Sequence, residues 1–232
     1  MNNFQIYGNC KGIEKASSGA ELSSLISSAG FLPLLSCGIR GFSAEELVAD
    51  DCRYVVFPDG GWDWPLWKWK GSIITDGGCV YGKFFNGKAG FVSMEWWPDL
   101  CNYRRSRYPL ANEGSIESAI LATLSEHGSL ITRELRAACG FTGPKMRSRF
   151  DSYITRIQMS CRIVTEDFVY PRDKHNREYG WGWSLLTTPE QLYGRESCRT
   201  SRSPEESYSR IISHLRHLLP EATDQQIERI IK

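Results

Sequence analysis

The chain has 232 residues, 41% of them hydrophobic and 24% charged, enough for one large domain or two small ones with a tail. Its net charge of +1 hides an asymmetry: residues 1–102 carry 8 Lys+Arg against 11 Asp+Glu, residues 103–180 carry 13 against 9, and residues 181–232 carry 7 against 7. No apolar run nears the roughly 20 residues of a membrane span, and none of the eight cysteines is spaced Cys-x-x-Cys or set beside one of the four histidines, so a cytoplasmic protein with reduced thiols and no metal or cofactor is expected.

The first helix signal covers residues 18–29. Ser18 and Glu21 form a capping box, Leu22, Leu25, Ile26 and Ala29 keep helical spacing, and Gly30 stops the helix. Ser43 and Glu46 open a second, short helix. Tyr54-Val55-Val56-Phe57 is strand-like, and Pro65 reads as the first turn of a third helix. Residues 79–85 and 89–93 flank Asn86-Gly87-Lys88, a strong hairpin signal.

The second half repeats this order. Ser115 caps a helix to His127, residues 129–131 form a short strand, Thr132 caps a helix to Cys139, and Pro144 opens a longer helix to about Ser160. Residues 163–170 and 179–186 are strands around a charged turn. Helix, short strand, two helices and a two-stranded wing is the winged helix-turn-helix pattern. Residues 195–203 read as a Ser- and Arg-rich linker. A Ser203-Pro204-Glu205-Glu206 start and a Thr223 cap then give a C-terminal helical hairpin that docks on the body or on a partner. The expected fold is α+β and mainly helical. It comprises tandem winged helix-turn-helix modules at 1–102 and 103–194, with linker and hairpin at 195–232.

The chemistry concentrates on the helix after Pro144. At about 100° per residue, Lys145, Arg149, Ser152 and Arg156 fall within about 60° of one another. Met146, Phe150, Tyr153, Ile157 and Cys161 occupy the adjacent stripe. The apolar stripe should dock, leaving the cationic one to meet phosphates and guanine edges, or simply water. Arg172, Lys174, His175 and Arg177 on the wing suit backbone contacts, although Asp173 and Glu178 dilute them into an ordinary charged turn. In Tyr103-Arg104-Arg105-Ser106-Arg107-Tyr108, Arg104 and Arg105 read either as a phosphate grip or as a basic linker packed on acidic neighbours. Trp62, Trp64, Trp67 and Trp69 cannot all be buried on one helical face. They read as a packed aromatic core between the modules, with a flipped base as the alternative occupant. No nucleophile elbow, phosphate loop, dinucleotide fingerprint or His-Glu-x-x-His is present.

Several stretches carry a family resemblance: Pro65-Leu66-Trp67-Lys68-Trp69, Tyr81-Gly82-Lys83-Phe84-Phe85, Gly90-Phe91-Val92-Ser93 and Glu95-Trp96-Trp97-Pro98. Others are Asn102-Tyr103-Arg104-Arg105, Arg156-Ile157-Gln158-Met159, Gly180-Trp181 and Thr188-Pro189-Glu190-Gln191-Leu192. Over most of residues 18–194 the chain resembles the AlkZ-related family, distant relatives of the AlkZ/YcaQ-type winged-helix DNA glycosylases. The resemblance implies tandem winged helices and a link to DNA repair. The glycosylases carry a Gln-x-Gln or Gln-x-Asp motif after the first helix, and here Pro33 and Leu35 stand in that register. Neither side chain can position water or steady a sugar cation, so the expectation is duplex DNA binding without base excision. The alternatives are a glycosylase with a relocated site, or a protein-interaction module that uses the C-terminal helices to bind a partner or to dimerise.

Overall fold

The computed structural model describes residues 15–58, 60–110, 112–143, 146–178 and 180–231. In the first half, α1 (Gly19–Ala29) leads into β1 (Phe31–Pro33), followed by α2 (Ala44–Leu47) and α3 (Asp50–Arg53). A small hairpin, β2 (Val55–Val56) with β3 (Trp62–Asp63), precedes α4 (Pro65–Thr75), and β4 (Cys79–Phe85) and β5 (Lys88–Ser93) complete the unit. After α5 (Trp97–Arg107) the order recurs: α6 (Ile116–His127), β6 (Leu130–Ile131), α7 (Thr132–Ala138), α8 (Met146–Met159), β7 (Val164–Val169) and β8 (Trp183–Thr187). The chain ends with α9 (Pro189–Tyr193), a 3-10 turn (Arg195–Cys198), α10 (Pro204–Leu218) and α11 (Asp224–Ile231). Among the described residues, no helix is long and apolar enough to cross a membrane.

Local chemistry sets most boundaries. Ser18, Ser43, Ser115 and Ser203 each accept a hydrogen bond from the backbone N–H three residues on, which satisfies an otherwise orphaned donor. Asn86 and Gly87 take φ of 51° and 76°, and Phe85 pairs with Lys88. This is the two-residue turn that matches strand twist. The Thr132 cap expected from the sequence does not form. Ile131 is the N-cap residue, and the Thr132 hydroxyl donates instead to the Ser184 carbonyl, 3.2 Å away on β8.

The two halves share one antiparallel six-stranded sheet, ordered β1-β5-β4-β7-β8-β6. Each repeat contributes three strands in the same arrangement, with its short first strand beside its last. The halves join where Tyr81 of β4 pairs with Thr165 of β7. Helices cross the junction in both directions. On one side the Gln158 side-chain oxygen of α8 accepts from the Lys83 N–H of β4 at 3.2 Å. On the other, Lys70 of α4 lies over the Phe168 ring of β7 at 3.0 Å.

The first repeat shares its core with the C-terminal helices. Leu22, Phe31, Phe91 and Trp97 belong to the same buried cluster as Ile211, Leu215, Leu218, Ile227 and Ile230. Full burial of each such aliphatic side chain is worth roughly 1.5–3 kcal/mol, so the C-terminal pair is part of the body. Asp99, 1% exposed, fixes it further by accepting from Arg202, Arg210 and the Ser207 hydroxyl. The stretch read as a linker therefore contains an ordered turn with a buried Cys198. The second repeat has a smaller core of Ile120, Leu124, Leu135, Phe150, Ile154, Ile157, Ile163 and Leu186.

Candidate nucleic-acid interface

α8 separates its residue types as the spacing predicts. Phe150 and Ile157 are buried, while Arg149, Ser152 and Arg156 are exposed. Ile154 and Gln158 are buried as well, and Gln158 meets β4 of the other repeat. Lys145, the first residue of the expected stripe, lies outside the described residues. The Ser152 hydroxyl donates to the Ser148 carbonyl at 2.9 Å, keeping that side chain close to the helix. Arg156 is paired with the Glu117 carboxylate, yet its side chain stays 67% exposed, so the pair is a solvated one that another anion can compete for. Arg147 and Arg149 are in no ion pair among the described residues.

Beyond β7, residues 170–178 and 180–182 belong to a long, largely exposed loop with an isolated bridge between Arg172 and Glu178. The carboxylates divide its cations. Arg172 pairs with Glu178 and Arg177 with Asp173, each at 3.0 Å, whereas Lys174 and His175 are exposed and outside any ion pair among the described residues. The Asp173 carboxylate is held below its ordinary range, chiefly by the Arg177 backbone N–H, so it works mainly as a turn former.

The basic run joining the halves does not form a grip. Arg104 and Arg105 lie in the last turn of α5, a helix the sequence did not announce. Arg104 is 0% exposed and donates to the Phe84 carbonyl at 2.8 Å and the Met159 carbonyl at 2.7 Å, tying the repeats together. Burial holds its pKa below the usual guanidinium value. It can touch no external phosphate, which removes it from the interface. Arg105 is occupied by Glu190 at 2.6 Å and the Cys161 carbonyl at 2.7 Å. Arg107, at the end of the same helix, joins Arg156 and Arg162 around an open pocket of about 330 Å³ floored by Leu121 and Ile157. Arg107 was read only as part of the basic run, and Arg162 did not stand out in the sequence. Their convergence comes from the α5–α6 connection folding back on the end of α8.

Trp62, Trp64 and Trp67 line an open aromatic cleft rather than a sealed core, while Trp69 packs against the core of the first repeat. Tyr54, Trp64 and Trp67 stack in a row, and the Trp181 ring stands edge-on to Trp64 and Trp67. The Trp67 indole N–H donates to the Trp181 carbonyl at 3.0 Å, so the cleft is built by both repeats. Its volume is about 600 Å³, and Trp62 and Trp181 remain 57% and 55% exposed. Beneath it Lys70 is fully buried, its ammonium 3.7 Å from the Trp67 ring centre and without a hydrogen-bond partner among the described residues. Burial depresses its pKa to about 7, against an opposing pull from Asp167. Trp96 and Trp97, in contrast, are core residues.

At the register of the glycosylase motif, Pro33 is buried in β1 opposite Gly90, and Leu35 is exposed and apolar. Among the described residues, no three His, Cys, Asp or Glu side chains converge on a metal site.

Fold and surface thus define an α+β protein of two like-ordered repeats on one sheet, with the exposed cations of α8 and the loop between β7 and β8 on the second and an aromatic cleft shared by both. Residues 16–232 match the model of the family described as AlkZ related, and the chain belongs to that family. No similar protein was found among the curated proteins, and no similar chain among the solved structures.

Proposed function

We propose that each repeat is a winged helix-turn-helix module and that the chain binds duplex DNA, in a repair-linked role, without excising bases. The observation that carries this reading is the outer face of α8. Arg149, Ser152 and Arg156 project together while Phe150 and Ile157 are packed away, and the loop between β7 and β8 is read as the wing. Cationic side chains on a helix and an adjoining hairpin are the usual means of following a phosphate backbone. Family membership supports the link to DNA. Apolar Pro33 and Leu35 support the lack of base excision, because sugar-cation chemistry needs a polar group there. The exposed rings of Trp62 and Trp181 favour a second reading, in which an unstacked base rests on the aromatic cleft and the protein senses damaged DNA.

Fluorescence anisotropy with duplex, single-stranded and abasic probes across a salt series tests both. Tight, strongly salt-dependent duplex binding supports the first reading, and a preference for abasic or single-stranded probes supports the second. Salt-insensitive binding, or none to any probe, overturns them.

A further inference from the structure

Three cysteines distant in sequence meet at one place. Cys101 lies on α5, Cys161 just past α8, and Cys198 in the 3-10 turn, with exposures of 0%, 0% and 8%. Cys101 packs in the same buried cluster as both others, and the three thiols influence one another's ionisation. Arg105 reaches into the cluster, its Nη2 donating to the Cys198 sulfur at 3.7 Å and to the Cys161 carbonyl at 2.7 Å. Glu190 holds that guanidinium in place, and the Ser197 hydroxyl is 3.7 Å from the Cys198 sulfur.

The sulfurs are chemically unlike. Cys198 receives the Cys101 hydrogen bond and the Arg105 charge, which together outweigh its burial and lower its pKa to about 7. Burial pushes Cys101 well above the ordinary thiol value, so it remains a protonated donor. Elsewhere Cys37, Cys52 and Cys79 are all raised. Exposed Glu196 and Arg199 flank Cys198, which puts it at the edge of the core within reach of a small oxidant.

We infer that Cys198 is a peroxide-reactive thiol and that Cys101 is its resolving partner. The Cys198 thiolate attacks one oxygen of a hydroperoxide. A sulfur–oxygen bond forms, the O–O bond breaks, and the leaving oxygen takes a proton from water. Sulfur is oxidised by two electrons and the peroxide is reduced by two. The Cys101 sulfur then attacks the Cys198 sulfenic acid and gives up its proton, and the departing hydroxyl leaves as water. The resulting disulfide ties α5 to the turn preceding α10 and so locks the C-terminal pair onto the body. This inference is independent of DNA binding.

The test uses the full chain treated with hydrogen peroxide, with and without dimedone, followed by non-reducing peptide mapping by mass spectrometry. The wild type is expected to form a Cys101–Cys198 disulfide. Cys101→Ser is expected to carry a dimedone adduct on Cys198, and Cys198→Ser neither product. On the untreated wild type, Cys198 is expected to be the first cysteine alkylated by iodoacetamide at neutral pH. First oxidation at Cys37, Cys52 or Cys139 with Cys198 left reduced would overturn the inference. So would a disulfide that excludes either Cys101 or Cys198.

Discussion

The two repeats share one order of elements and spend it differently. The hairpin of the first is short and covered: a Cβ added at Gly87, in its two-residue turn, would come 3.3 Å from the Thr155 methyl on α8. Its helices and strands carry most of the core, to which α10 and α11 add a further layer. The second repeat has a small core, a 13-residue loop between β7 and β8, and an α8 whose outer face is open. The first repeat is mainly scaffold, apart from its share of the aromatic cleft, and the second displays the cations. A repeated topology therefore does not imply a repeated surface: α8 and the C-terminal helices cover most of the first hairpin and leave Asn86 and Lys88 at its turn exposed.

That contrast can be broken at several points. Arg104→Ala should have the largest effect. It removes a charged donor from two carbonyls and leaves a cavity, so chemical denaturation should show a loss of about 3 kcal/mol or more. Lys70 comes next. Its folded pKa of about 7 lies below the ordinary lysine value of 10.5, so the unfolded chain binds more protons in between and stability rises with pH through that window. Lys70→Met should abolish a rise of about 2 kcal/mol between about pH 7 and pH 9 in denaturation midpoints. On the display side, Lys174→Ala with Arg177→Ala should weaken duplex binding by about 5- to 10-fold, with stability unchanged within about 0.5 kcal/mol. Glu117→Gln should have the smallest effect. It frees Arg156 from its carboxylate and should tighten binding by about 2-fold.

Local signals were legible where a short stretch settles its own conformation. Asn86-Gly87 marked its turn, serines marked four helix starts, and the apolar spacing of α8 separated Phe150 and Ile157 from Arg149 and Arg156. What was hidden depends on distant partners. The buried side of α5 includes Trp97, Leu100, Cys101 and Arg104, and a buried arginine inside a basic run disguises the helix as a linker. The β4–β7 pairing that fuses the two sheets leaves no mark in either strand, and it is the reason Gln158 turns inward. The aromatic cleft was foreseen as a cluster between the halves. Its openness depends on where Trp181 stands, which only the folded loop determines.

The account rests on the α8 face meeting phosphate. The most direct measurement compares duplex affinity against salt for the wild type and for Lys145→Ala/Arg149→Ala/Arg156→Ala. Loss of most affinity, with a log–log salt slope shallower by about two to three and an unchanged fold, is the predicted result. Equal affinity and an equal slope in both proteins would contradict it.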